Sequence, residues 1–456
     1  MCASAASAQP DETRSAASRW VYKAGPDGWY GPAFDPQRDG VLTVKADVVV
    51  LGAGIVGVSV ALHLAKRGRS VVLVDRRGAG EETSFGNAGL IQREGVAPHL
   101  FPQSLPTLLN YARNHTTEMR FQWRALPQMA NFLFQYWQHS RAASYRAIVE
   151  DYAKFIAHSV SEHEPLIEAA GAENLIGKAG WMEVYRSEAS YRAAQCDAER
   201  HGRFGLSHQA LDDGALHRRE PAITAKLAGG IHWTQPWTVR DPHALTQAYL
   251  RLFEGLGGQF QQGNADTLQA VTGGWEIDTV YGAVQAKEVV VALGPWSDGL
   301  LRRFGRKLPL GVKRGYHMHY SQRGDVSLSM PVYDEAGFLV APMRRGLRLT
   351  TGAEFALVDA PANPVQVAAA EPMAAASYPL GERIDETPWM GSRPCTPDMK
   401  PIIGPEGRDG LWLAFGHAHH GLTLGPATGR LLAEMMTGET PFIDPSPYRV
   451  SRFDGR

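Results

Sequence analysis

Gly52, Gly54 and Gly57, followed by Asp75 at 23 residues from the first, are the residues whose types and spacing promise chemistry. Together they suit the binding of a dinucleotide. Gly52 permits a tight turn out of a strand, Gly54 lets backbone approach a pyrophosphate, and Gly57 lets a helix lie close against that strand. The candidate phosphate loop is therefore Gly52, Ala53, Gly54, Ile55, Val56 and Gly57. Free N–H groups at the start of the helix face the phosphate charge. Asp75 stands where a carboxylate accepts hydrogen bonds from a ribose, and its acid disfavours a 2′-phosphate.

The elements needed to position these residues are present in order. An apolar strand over 48–51 feeds the glycines, an apolar helix over 55–66 ends at Gly68, and a second apolar strand over 70–74 stops on Asp75. Glycines alone would fit any strand–turn–helix unit. Strand, helix, second strand and acid in succession fit a dinucleotide fold.

The chain has 456 residues, which is too long for one small core and predicts two interwoven domains. A net charge of −1 gives no basic footprint for nucleic acid. Cys2, Cys196 and Cys395 have no CxxC spacing, so neither a disulfide framework nor a zinc site is expected. That usage fits a reducing, cytoplasmic compartment. The longest apolar run is the dinucleotide fold itself, so no transmembrane helix is expected. Residues 1–45 read as an irregular arm, rich in Ala and Ser and then in aromatics, Gly and Pro.

Further along, the glycine-rich loop after Asp75 offers Arg76, Thr83, Ser84, Asn87, Ala88 and Gly89 to phosphate or to a ring edge. Residues 100–165 are amphipathic and helical, expected as a core or lid stripe, with a membrane-surface or subunit-contact face as the alternative. Strands are expected at 181–185 and 229–240, and Asp241-Pro242 starts a helix to about 256. The apolar run Val289-Val290-Val291 stops at Gly294, with Trp296 beyond, as a buried parallel strand does. Short alternating strands at 316–320, 331–333, 338–342 and 347–352 predict an antiparallel sheet. A strand at 411–415 ends at Gly416, and a helix is expected over 426–436.

Two C-terminal segments sharpen this pattern: 389–404, containing Gly391-Ser392-Arg393-Pro394, and 415–426, containing Gly416-His417-Ala418-His419-His420-Gly421-Leu422-Thr423-Leu424. With the fingerprint, the 82–89 loop and 289–297, they make the chain resemble the FAD-dependent D-amino-acid oxidase/dehydrogenase superfamily, most closely its D-amino-acid dehydrogenase branch. The resemblance spans about 46–445. It implies an α/β fold in which a Rossmann-like FAD-binding domain (46–99, 221–306 and 385–456) carries an inserted antiparallel-sheet, α+β substrate domain (100–220 and 307–384). It also implies that Arg393 grips the substrate carboxylate, a task suited to a planar guanidinium. His420, Gly421, Leu422, Thr423 and Leu424 would lie at the flavin pyrimidine, where a helix N-terminus favours negative charge. His419 is a candidate pocket residue, and Tyr316, His317, Tyr333 and Phe338 are candidates for the opposite wall. His417 and His420 sit in a glycine-flanked turn with no neighbouring carboxylate, so no metal is expected. Relatives that link flavin through cysteine carry it where this chain has Gly391, so the FAD is expected to be noncovalent.

The implied reaction is oxidation of an amino acid, a D-amino acid first, by hydride transfer from Cα to flavin N5. The imino acid then hydrolyses to a 2-oxo acid. A quinone, another carrier or oxygen would take the electrons, and contact with an inner membrane through 100–165 is one route to such an acceptor. Alternatives are a secondary-amine substrate (proline, hydroxyproline or sarcosine-like), a 2-hydroxy acid, or an FAD-binding subunit of a complex.

Overall fold

The computed structural model describes residues 43–454 and the backbone of one short antiparallel pair, Tyr22–Ala24 with Tyr30–Pro32. The arm expected over 1–45 otherwise falls outside the described residues up to 42.

The sheet that carries the glycine turn grows from its most apolar strands. Val44–Leu51 pairs in parallel with Val71–Asp75 on one side and with Gly282–Val291 on the other. Gln259–Gln262 extends the sheet beyond Val71–Asp75, and Leu411–Phe415 pairs in parallel with Gly282–Val291. A parallel strand is covered on both faces, which explains the unbroken valine runs. Alternation along the strand divides them: Val48 and Val50 enter one core, while Val49 and Leu51 enter the other.

One face is covered by helices Ile55–Ala65, Pro242–Gly255, Ser159–Ala169 and Gly421–Thr437. The first and last of these press together through small residues. A Cβ on Gly429 would lie 2.5 Å from the Ser59 carbonyl oxygen, and one on Gly425 would lie 3.2 Å from Ile55 Cγ1. Two glycines on successive turns thus let the backbones touch, and both helix N-termini open on the same side of the sheet.

The last helix begins at Gly421, one turn before the sequence-based expectation of 426. Pro426 sits inside it, where a missing N–H leaves the carbonyl of Leu422 unpaired. His163 fills that vacancy: its Nε2 lies 2.8 Å from Leu422 O, and its Nδ1 lies 2.9 Å from the Tyr249 hydroxyl. A tertiary partner thus compensates for the proline that made the early helix start illegible.

The second sheet is mainly antiparallel and has 11 strands. Its long strand Gly311–Gln322 pairs with Gly346–Thr351 and with Trp389–Cys395. Gly346–Thr351 leads on through Phe338–Met343 and Val332–Asp334 to Trp181–Tyr185 and Gly229–Trp233. Gly229–Trp233 and Trp389–Cys395 therefore correct the expected division, which gave 221–306 and 385–456 wholly to the FAD-binding domain. Helices Ala142–Ile156 and Ser159–Ala169 correct it in the other sense, since Tyr152, Phe155 and Leu166 pack in the dinucleotide-sheet core. Nor is 100–140 a simple buried stripe. Leu105, Leu109, Trp123 and Phe134 are more than half exposed (74%, 66%, 66% and 56%).

Replacing Gly429 with Ala must push the first and last helices apart. The expected cost is about 1–3 kcal/mol, read as a lower urea midpoint with an unchanged slope. An unaltered midpoint would show that the helix contact has slack.

Candidate active site

The glycine turn is braced by the residues that follow it. The Ala53 N–H donates to Asp75 Oδ2 at 2.7 Å, and the Arg77 N–H donates to Oδ1 at 3.0 Å. Burial pushes the Asp75 carboxyl up, although those backbone donors oppose the shift. Gly52 takes φ 101°, and a Cβ there would lie 2.5 Å from Ala292 O. A Cβ on Gly57 would lie 1.8 Å from Gly52 O. Both glycines are required by backbone packing, as the spacing suggested.

Helix Ile55–Ala65 starts without a capping side chain and with no acid in its first turn. The Ile55 N–H donates to Ser84 Oγ at 2.9 Å. Helix Gly421–Thr437 likewise starts uncapped and without an acid. Two helix N-termini on one cleft, neither with an acid in its first turn, suit a long anionic cofactor. The cleft itself holds about 1500 Å³ and runs continuously between the two sheets. Gly52, Gly54, Ile55, Val56, Asp75, Arg76, Thr83, Ser84, Asn87, Ala88, Gly294 and Trp296 all line it, and Thr83 Oγ1, donating to Ser392 O at 2.8 Å, ties their loop to the Trp389–Cys395 strand. The Arg76 guanidinium lies 4.4 Å over the Trp296 ring there, a flat frame for an adenine-sized group. Gly416, His420, Gly421 and Leu422 line the middle.

Other expected cofactor residues lie behind the wall. Ala53 and Gly57 hold the turn. Gly89 approaches Val239 O so closely that a Cβ would lie 2.3 Å from it. Thr423 Oγ1 donates to Leu90 O at 3.1 Å, and Leu424 is fully buried. Their contribution is to shape the wall rather than to touch its contents.

At the far end stands Arg393, on the Trp389–Cys395 strand. Its Nη1 donates to Gly352 O at 3.1 Å, and no carboxylate lies within ion-pair distance among the described residues. Desolvation lowers its basicity. Directly opposite, on Gly311–Gln322, is Lys313. Lys313 Nζ donates to the Tyr136 hydroxyl at 3.0 Å and lies 4.3 Å over the Tyr136 ring, also without a carboxylate. Like charges facing each other across a strand pair are destabilising. The site is thus incomplete without an anion. Lys313, Tyr136 and His99 carry no sequence signature: strand register sets Lys313 opposite Arg393, and a helix and a loop distant in sequence bring Tyr136 and His99.

His419 lines the cleft as expected, its ring 4.8 Å from that of His99 and 3.8 Å from that of His420. Between His417 and His419, Ala418 takes left-handed backbone at φ 51°, and its N–H donates to Pro394 O at 2.8 Å. His420 Nδ1 lies 2.6 Å from the Tyr152 hydroxyl, and His417 Nε2 lies 2.8 Å from Thr428 Oγ1. Each is fixed by a hydroxyl, and no group of three metal-ligating side chains occurs among the described residues.

The expected opposite wall is corrected in part. Tyr333 lines the cleft. Tyr316 and Phe338 border it, but their side chains are committed elsewhere. The Tyr316 hydroxyl donates to Glu354 Oε2 at 2.6 Å and accepts from Asn363 N at 2.9 Å. Phe338 is buried edge-on against Tyr378. His317 stacks on Trp389 at 4.8 Å instead of facing the cleft.

The family model described as FAD dependent oxidoreductase matches residues 47–435. The chain belongs to the FAD-dependent oxidoreductase family. It is 30% identical to the D-amino acid dehydrogenase of Chromohalobacter salexigens, over 89% of this chain and 99% of that one. It is 27% identical to the D-amino-acid oxidase of Bradyrhizobium diazoefficiens, over 89% and 98%. The fold matches glycine oxidase from Geobacillus kaustophilus with a TM-score of 0.65 at 23% identity, over 91% of this chain and 100% of that one. FAD is therefore the cofactor of this chain.

Four buried histidines of this FAD-dependent enzyme are held neutral by desolvation: His63, His417 and His420 near 3, and His163 near 4. In an unfolded chain they titrate near 6.5. Between pH 6.5 and about 4, unfolding therefore takes up protons, and stability, complete above 6.5, declines as the pH falls. The urea midpoint should be lower at pH 5 than at pH 7.5. A flat profile would contradict neutral burial.

Proposed function

We propose that the protein oxidises a free amino acid, most readily a D-amino acid, at the carbon bearing the amine. The single observation that carries this is Arg393: a guanidinium on the cleft wall with one protein hydrogen bond and no carboxylate. A half-buried, unneutralised cation is costly, and a substrate carboxylate relieves that cost by taking the guanidinium fork bidentately. Lys313 adds a second positive charge beside it. The names of the dehydrogenase and oxidase relatives agree with an amino-acid substrate.

FAD, held without a covalent link, supplies a two-electron acceptor. The protein's own part is mostly positioning. Arg393 fixes the carboxylate, and with it the direction of the Cα–H bond. His419, desolvated and so kept neutral, competes neither with Arg393 for the carboxylate nor with the substrate for a proton. The amine gives up its extra proton before the Cα–H bond breaks. Loss of hydride leaves an imino acid, which water converts to the 2-oxo acid and ammonia. His420 and the first turn of Gly421–Thr437 direct positive helix-end potential toward the cofactor.

The relatives' names favour an acceptor other than oxygen. No described helix is long and apolar enough to cross a membrane. The exposed side chains Leu105, Leu109, Trp123 and Phe134 form the surface assigned to contact with a membrane-held or protein acceptor.

Anaerobic bleaching of the yellow cofactor by D-amino acids, but not by 2-hydroxy acids, is the test. A secondary amine that bleaches faster than any primary amino acid would redirect the assignment to that class. Arg393→Leu should lower kcat/KM on the order of 100-fold, mainly through KM, while FAD stays bound. An unchanged KM would remove Arg393 from the role.

A further inference from the structure

We propose that the cleft contains a second charge-recognition chamber, built on Glu94 and Glu183, which receives the cationic end of a basic substrate side chain. This deepens the amino-acid assignment above and rests on it. Both carboxylates line the cleft. Glu94 is 7% exposed. Its Oε1 accepts from Trp181 Nε1 at 2.8 Å and from Gln92 Nε2 at 3.0 Å, while its Oε2 has no hydrogen-bond partner among the described residues.

Glu183 lies two residues beyond Trp181 on the Trp181–Tyr185 strand, so both point to one face. It accepts from the Tyr185 hydroxyl at 3.0 Å. Trp233, register partner of Trp181, brings its indole N–H toward Glu183 but completes no hydrogen bond. No Lys, Arg or His pairs with either carboxylate among the described residues. Arg93, the nearest in sequence, donates to Phe204 O at 3.2 Å instead.

One buried and one half-buried acid without a cation among the described residues are as incomplete as the two cations at the other end. Burial pushes both carboxyls up, Glu94 to about 7, with the charge of Glu183 adding to the rise at Glu94. A bound ammonium or guanidinium reverses that penalty, and Trp181, Tyr185 and Trp233 provide ring faces for it. Five strand steps separate the Arg393 strand from the Glu183 strand, on the order of 24 Å at the usual spacing. The α-amine lies one carbon from the carboxylate held by Arg393 and cannot reach across. An extended basic side chain, with Arg393 and Glu183 reaching in from either end, can.

The test compares kcat/KM of the FAD-loaded protein for D-arginine, D-lysine and D-norleucine with an artificial acceptor. The wild type should prefer the two basic substrates. Glu94→Gln and Glu183→Gln should each lower their kcat/KM roughly 30-fold or more, and that of norleucine by less than about threefold. The norleucine rate and the bound flavin spectrum report folding within each variant. Turnover of norleucine without preference for basic substrates overturns the chamber and leaves the amino-acid assignment standing. An equal fall for both classes also overturns it, assigning Glu94 to the α-amine or to the fold. If no amino acid reduces the flavin, both proposals fail.

Discussion

The contact between the first and last helices of the dinucleotide domain governs the rest of the molecule. Gly425 and Gly429 bring the backbone of Gly421–Thr437 against Ile55 and Ser59. A larger residue at either position would separate the helices and splay the two N-termini. Because the helices start almost four hundred residues apart, this packing also fixes the C-terminal histidine turn beside the N-terminal glycine turn. The two turns on the cleft are thus set by one interface of small residues. The His163 bond to Leu422 O keeps the last helix intact at its first turn despite Pro426.

The cleft separates charge along its length. Among the described residues, Arg393 and Lys313 stand without carboxylates, and Glu94 and Glu183, on the same cleft, stand without paired cations. None of these charges is cancelled inside the protein, although Arg393 and Lys313 share a strand pair that would readily have held an ion pair. Keeping them unpaired costs stability, as strained or unsatisfied groups at functional sites generally do. Elsewhere several buried carboxylates are paired: Asp334 with Arg186 at 2.6 Å, Asp398 with Arg452 at 2.8 Å. The contrast marks the cleft.

Local elements were legible in the residues. Strand 181–185, strand 411–415 and the helix opening at Asp241-Pro242 follow from apolar runs and capping chemistry, and they stand where expected. The start of the last helix was not legible, because Pro426 normally forbids a helix interior and its compensation comes from a distant histidine. Domain membership failed at Gly229–Trp233 and Trp389–Cys395 for a related reason: a strand's period tells which face is buried but not which sheet supplies the neighbour. Tyr316 and Phe338 looked like pocket walls because they sit on the right strands, yet hydrogen bonding and core packing claim their side chains.

The sequence by itself determined the glycine turn: Gly52, Gly54, Gly57 and Asp75 act through backbone geometry over a short span, and that geometry is encoded locally. It also singled out Arg393. Only the tertiary structure decided what surrounds Arg393. Lys313, His99, Tyr136, Glu94 and Glu183 are ordinary in sequence, and they become a site when strand register and sheet order bring them to one cleft. Charge recognition depends on which groups lack a partner, and a missing partner is a property of three-dimensional neighbours, not of any residue alone.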